Sequence, residues 1–239
     1  MSGVALIVSH GQPSDPGPAE AELAGLAARV AEQLPGWQVG SATLAAPGSL
    51  ARAVAGLGGE GLVYPLFMAG GWFTRVFLPS RLAEASGSGW QVLEPLGCDP
   101  AVHDLAVRIV RMEEARGVVL AAHGSGQSRV PADIAAHVAG RIARDGGIRA
   151  EAAFIDQEPR LTGIAGFGPG SVCLPFFAAS GDHVTRDIPA ALGQAGFQGR
   201  LLPAIGLHRD IPALIASAIE RGEPVCAGKC LWQGQTGQD

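Results

Sequence analysis

The chain has 239 residues, a length that suits one large domain or two small ones. Hydrophobic residues make up 47% and charged residues 16%, which indicates a folded globular protein rather than a disordered chain. The formal net charge of −5 argues against non-specific nucleic-acid binding, which needs a basic face, and no segment is apolar over a membrane-spanning length. We expect neither a nucleic-acid nor a membrane partner. No signal-peptide pattern follows Met1 and the cysteines are sparse, so a cytoplasmic location is expected.

The first half alternates apolar strands with helical stretches. Its first strand, GVALIVSHGQ, ends in a polar turn at Ser9-His10-Gly11. The elements predicted after this turn are a helix over Ala19–Leu34, strands over Gln38–Leu44 and Gly61–Pro65, and a last strand in Val92–Gly97.

The second half repeats this order at an offset of about 110 residues, which indicates a duplicated domain rather than a solenoid. Its predicted elements are a strand ending at Ala122-His123-Gly124, a helix over Pro131–Arg144, strands over Arg149–Ile155 and Ser171–Pro175, and a last strand in Leu201–Gly206. Each half is predicted to alternate strand and helix four times. The fold class is therefore α/β, with two tandem doubly wound parallel-sheet domains at 1–113 and 114–225, followed by a flexible tail, 226–239.

The two halves differ at the strand ends, where ligands bind in such sheets. Alignment of the two Thr-Arg pairs places Trp72 opposite His183, and alignment of the second strands places Leu44 opposite Asp156. At these ends the second half carries His123, His183, Asp156, Glu158 and Asp182, whereas the first half retains His10. Imidazole and carboxylate ligands suit Co²⁺ or Fe²⁺, so a metal site is predicted in the second half. The alternative is that both histidines are turn residues bonded to backbone.

Two stretches of the second half resemble a known family. AAHGSG (121–126) and LPFFAASGDHVTRDIP (174–189) are similar to the paired histidine motifs of class II tetrapyrrole chelatases, and most similar to the CbiX-type sirohydrochlorin chelatases. SHG (9–11), PLF (65–67) and PLG (95–97) extend the resemblance through the first half. The resemblance therefore covers about residues 3 to 221.

The resemblance implies ATP-independent insertion of Co²⁺ or Fe²⁺ into sirohydrochlorin, in a cleft between the halves, as a lyase of cobalamin or sirohaem biosynthesis. His123 and His183 would deliver the metal and accept protons from the pyrrole nitrogens, since neutral imidazole does both near pH 7. Either Asp156 or Glu158 would add an acidic ligand. No cofactor is expected beyond the substrate metal ion, and the duplication within one chain is compatible with a monomer.

Three further residues are candidates for binding the tetrapyrrole. Trp72 would stack on a macrocycle face, or else be an ordinary packing residue. Arg186 would pair with the carboxylates of sirohydrochlorin, or else be a solvated surface arginine. His10 would take part if it reaches across the cleft. His103 and His137 lie in helical stretches and are expected at the surface.

Two other functions compete with that of a chelatase. A serine hydrolase is disfavoured because the chain lacks the G-x-S-x-G nucleophile elbow. A non-catalytic metal or tetrapyrrole carrier on the same scaffold remains open. It is motivated by the altered first half and by the Cys226 and Cys230 pair in the tail, which would bind metal or belong to a flexible segment.

Overall fold

The computed structural model describes residues 2–58, 60–86 and 89–226, which form two compact units. The first unit runs to Asp99 and takes up the segment that begins at Arg209, and the second runs from Pro100 to His208. In chain order, the strands and helices are β1 (Gly3–Ser9), α1 (Pro16–Gln33), β2 (Trp37–Thr43), α2 (Ser49–Leu57), β3 (Gly61–Pro65), α3 (Leu78–Ser86), β4 (Trp90–Val92), α4 (Pro100–Met112), β5 (Gly117–Ala122), α5 (Val130–Gly146), β6 (Arg149–Phe154), β7 (Ser171–Pro175), α6 (Ile188–Gln194), β8 (Arg200–Leu201) and α7 (Ile211–Arg221). Among these described helices, none combines the length and the apolar character needed to cross a membrane.

The first unit is built on a four-stranded parallel sheet in the order β2-β1-β3-β4. The central strand β1 is fully buried over Ala5–Val8, as its apolar run predicts for a strand covered on both faces. Leu6 and Val8 pack with residues of α2 and α3, such as Val54 and Leu78. Because successive side chains of a strand point to opposite faces, Ala5 and Ile7 face the other side, where α1 and α7 pack together.

The second unit repeats the parallel sheet in the order β6-β5-β7-β8, with β5 entirely buried. Two parallel four-stranded sheets with flanking helices confirm the predicted α/β class and its duplication. The predicted alternation is wrong at one place, because only a 3₁₀ turn at Leu161–Gly163 lies between β6 and β7. The segment from 159 to 170 contains two prolines and four glycines, which disfavour a helix there.

The closing helix of each sequence half belongs to the other compact unit. Helix α4 ends the first half of the sequence but packs against α5, and Arg141 Nη2 lies 2.6 Å from Asp104 Oδ1 between these two helices. Helix α7 ends the second half but packs against α1, and Arg221 Nη2 donates to Asp99 Oδ2 at 2.7 Å. The predicted limits at residues 113 and 225 therefore follow the sequence repeat, whereas the compact units divide near Asp99 and His208.

The expectation that His103 lies at the surface is wrong. His103 is fully buried on α4, and its ring centroid lies 5.6 Å from that of the half-buried His137 on α5. His103, Ala106 and Val110 are spaced at i, i+3 and i+7, so the helical period places this histidine in the apolar stripe of α4.

Candidate functional site

His123 lies in the turn that directly follows the buried strand β5. Gly124 reverses the chain there with a φ of +77°, a conformation that favours glycine. The imidazole Nδ1–H of His123 donates to the carbonyl oxygen of Gly124 at 3.1 Å. The tautomer assigned from this acceptor carries its proton on Nδ1, so Nε2 keeps the lone pair that can bind a metal ion.

His183 begins a short π-helical turn, His183–Asp187, after β7. The wide turn is closed by the Ile188 N–H, which donates to the carbonyl oxygen of His183. Within the turn, His183 Nδ1–H donates to Asp187 Oδ2 at 2.7 Å. A carboxylate bound to Nδ1 fixes the ring orientation and the tautomer, and recurs behind metal-binding histidines. Asp187 was missed from the sequence, although its helical spacing from His183 is a usable signal.

The structure brings the two imidazoles together. Their ring centroids are 4.6 Å apart and their planes meet at 85°. Both side chains are close to half exposed, 44% for His123 and 47% for His183, so an ion from solution can reach them. Since each Nδ1 has its own acceptor, the Nε2 atom of each ring keeps a lone pair that can bind a metal ion.

The two candidate carboxylates have different surroundings. Asp156 Oδ2 lies 3.5 Å from His123 Nδ1, and the Asp156 N–H donates to the backbone carbonyl of His123 at 3.0 Å. Glu158 instead accepts the N–H of Arg160 at 3.0 Å and has a largely exposed side chain. Within the described ranges, no three His, Cys, Asp or Glu side chains form a group that could hold a metal ion.

The first unit repeats the backbone of this site with different side chains. His10 Nδ1–H donates to the Gly11 carbonyl at 3.0 Å, like His123 in the second unit. A π-helical turn at Phe73–Phe77 corresponds to His183–Asp187. The ring of Phe73 packs edge-on against His10 with centroids 5.4 Å apart, where the second unit has His183 against His123.

The sequence alignment of the two halves is therefore wrong by one residue at this turn. Gly71 and Gly181 both accept the first backbone hydrogen bonds of the turn, so the counterpart of His183 is Phe73 and not Trp72. The alignment on the prolines that follow β2 and β6 is also wrong by one residue. Ala45 and Asp156 donate equivalent hydrogen bonds to His10 and His123, so Asp156 corresponds to Ala45 rather than Leu44.

Trp72 and its neighbours form an exposed aromatic surface on the first unit. Trp72 is 60% exposed, stacks on Phe77 with centroids 5.1 Å apart, and meets Phe73 edge-on at 5.3 Å. Val76 is 54% exposed beside them. We call Trp72, Phe73, Val76 and Phe77 the aromatic surface.

The remaining candidates are an arginine and two cysteines. Arg186 is exposed in the π-helical turn of the second unit. Cys226 Sγ accepts a hydrogen bond from Arg75 Nη2 at 2.8 Å in the first unit. Cys230 lies outside the described residues, so the predicted cysteine pair and most of the tail have no structural description.

One comparison with known proteins matches the second half of the chain, and another matches nearly the whole chain. The family model for CbiX matches residues 117–222, which contain His123 and His183. A solved structure of CbiX, described as the terminal enzyme for biosynthesis of siroheme in denitrifying bacteria, is 43% identical, covers 91% of this chain and 98% of its own, and superposes with a TM-score of 0.83. The chain belongs to the CbiX family.

More distant structures share the fold of this CbiX protein. SirB from Bacillus subtilis with Fe³⁺ is 15% identical, with a TM-score of 0.72, and covers 93% of this chain and 96% of its own. The sirohydrochlorin chelatase SirB from Bacillus subtilis subspecies spizizenii in complex with cobalt is 16% identical, with a TM-score of 0.67. The match covers 93% of this chain and 95% of that SirB chain. Comparison with curated protein sequences gives no significant match.

Proposed function

We propose that this CbiX protein inserts a divalent metal ion, Co²⁺ or Fe²⁺, into sirohydrochlorin without ATP, in sirohaem or cobalamin biosynthesis. The observation that carries the proposal is the imidazole pair of the second unit, with each Nδ1 hydrogen-bonded and both Nε2 atoms left to act. The similarity to a CbiX enzyme of siroheme biosynthesis supports the substrate class.

Metal insertion requires a loosely held ion and the removal of two pyrrole N–H protons. Two imidazoles bind a divalent ion and leave coordination positions open for the macrocycle nitrogens. Asp156 lies on the Nδ1 side of His123, so we assign it to attracting the incoming ion rather than to a three-ligand site with both imidazoles, whereas Glu158 is engaged with Arg160. The ion is a substrate here, and no further cofactor is invoked.

The hydrogen-bond partners of the two histidines differ, and we use this difference to assign the roles of proton acceptor and metal carrier. His183 is backed by the Asp187 carboxylate, which stabilises the positive charge that appears when Nε2 takes a proton. His123 is backed by a neutral carbonyl. We therefore assign proton acceptance mainly to His183 and delivery of the ion to His123. The accepted protons pass to water, so the macrocycle loses two protons as it gains the ion.

The aromatic surface of the first unit is proposed to stack on the macrocycle. Exposed aromatic side chains gain from offset stacking on a conjugated ring, at about 0.5–1.5 kcal/mol per pair. Trp72 supplies the most exposed ring, and His10 supports Phe73 from the side. Arg186 is assigned to the carboxylates of the substrate, since guanidinium groups pair with them in a bidentate manner.

An anaerobic absorbance assay tests the proposal. Sirohydrochlorin is mixed with Co²⁺ or Fe²⁺, and the rate of the spectral change is compared with and without protein. We expect catalysis by the wild-type protein, loss of catalysis in His183→Ala, and little change in the control Glu151→Gln, which alters an exposed carboxylate paired with Arg149. Equal rates for wild type and His183→Ala would contradict the assignment.

A carrier function is the second candidate, because Phe73 and Phe77 in the first unit present rings and no metal ligands. A carrier would change the spectrum in proportion to the protein added and would show no turnover. No spectral change with either metal would exclude both functions for sirohydrochlorin.

A further inference from the structure

The loop after β6 holds the His123 turn through Gln157. The side-chain Oε1 of Gln157 accepts the backbone N–H of Ser125 at 2.7 Å. The same side chain covers Gly124, since a Cβ placed on that glycine would lie 2.6 Å from Gln157 Cγ. Gln157 thus contacts both residues that follow His123.

The hydrogen bond of Gln157 bears on the imidazole through one peptide group. The Ser125 N–H and the Gly124 carbonyl belong to the same planar peptide, so holding the N–H end sets the direction of the carbonyl. That carbonyl is the acceptor of the His123 Nδ1–H, at 3.1 Å. Gln157 therefore holds the Gly124 carbonyl in the direction in which it accepts the His123 Nδ1–H and sets the tautomer.

The first unit lacks this arrangement. Gly11 packs there against the side chain of Thr43, since a Cβ placed on Gly11 would lie 2.7 Å from Thr43 Cβ. The backbone hydrogen bonds that pair Asp156 with Ala45 make Ala46 the counterpart of Gln157, and alanine has no acceptor in its side chain. The glutamine side chain that accepts the N–H after the histidine turn is therefore found in the unit that has two imidazoles.

We propose that Gln157 is a positioning residue that holds His123 as the Nδ1–H tautomer, with Nε2 ready for the substrate ion. It touches neither the ion nor the macrocycle and acts through the Gly124–Ser125 peptide. Loss of such supporting hydrogen bonds lowers metal affinity or activity by about 10–100-fold in known sites. The activity part of this proposal rests on the proposed function, and the tautomer part does not.

The test compares Gln157→Leu, which keeps the size but removes the acceptor, with Gln157→Glu, which restores an acceptor oxygen. Gln198→Leu is the matched control, because Gln198 is exposed and donates to the carbonyl oxygen of Gly196 in its own turn. Long-range ¹H–¹⁵N NMR of the full-length protein reports the tautomer of His123, assigned by its loss in His123→Asn. Titration with Co²⁺ alone reports metal affinity.

We expect the Nδ1–H tautomer in the wild type, in Gln157→Glu and in the control, and a mixture of tautomers in Gln157→Leu. Co²⁺ affinity should fall about 10–100-fold in the leucine variant. An unchanged tautomer and Co²⁺ affinity in Gln157→Leu would overturn the proposal, as would equal loss of the tautomer in the leucine and glutamate variants. If the tautomer responds as expected but the wild type inserts no metal, the positioning role stands and the chelatase function fails.

Discussion

Replacement of Asp187 by alanine should slow metal insertion by removing the carboxylate behind His183. A hydrogen-bonded ion pair near the protein surface contributes about 0.2–1 kcal/mol, because water screens it. The side chains of His183 and Asp187 are 47% and 49% exposed and their atoms lie 2.7 Å apart, so we take the upper end of this range. At 1.36 kcal/mol per factor of ten, a loss of about 1 kcal/mol corresponds to a roughly fivefold lower rate. The loss should appear in kcat, because the carboxylate stabilises the imidazolium that forms during proton transfer.

The assay is the anaerobic absorbance change of sirohydrochlorin with saturating Co²⁺. Asp187→Asn keeps an acceptor oxygen without the charge and should lie between the wild type and Asp187→Ala. Glu151→Gln is the matched control, since it removes an exposed carboxylate of the second unit that pairs with Arg149. A kcat for Asp187→Ala equal to that of the control would refute the reasoning that His183 is the supported proton acceptor.

Three further predictions follow from other features. Trp72→Ala should raise the KM for sirohydrochlorin by about 2–10-fold at unchanged kcat, because one stacking contact is lost, and an unchanged KM would remove Trp72 from the binding surface. Burial raises the pKa of the Cys173 thiol to about 12, so iodoacetamide at pH 8.5 should modify Cys173 only in unfolded protein, as mass spectrometry can show. Burial, with Arg141 and then Arg144, lowers the pKa of His137 below 6.5. The unfolded state then binds more protons as the pH falls through about 6.5, so stability to urea should drop between pH 7.5 and 5.5, and by less in His137→Gln.

The strands and the duplication could be predicted from the sequence because their signals are local. The run Gly117–Ala122 is apolar throughout and is buried throughout, and the His-Gly step after it marks the turn. The same pattern at Gly3–Gly11 predicted the repeat. Parallel sheets then place the two strand ends at one edge, which is why His123 and His183 were expected together and are found together.

Side-chain correspondence between the halves could not be predicted in the same way. The Thr-Arg pair at 74–75 and the pair at 185–186 invite an alignment, but the backbone hydrogen bonds of the two π-helical turns pair Phe73 with His183. The role of Gln157 could not be predicted from the sequence either. Its partner is a backbone N–H across a loop, and no residue type or spacing in the sequence marks such a contact.

The exchange of closing helices has a consequence for the order in which the protein can be completed. Domains usually finish folding from the N-terminus as the chain leaves the ribosome. Here the first unit lacks α7 until Ile211–Arg221 is made, whereas the second unit is continuous from Pro100 to His208. The unit with the paired histidines can therefore form before the one with the aromatic surface. A gene cut at the sequence repeat would leave each fragment with the helix that the other fragment needs.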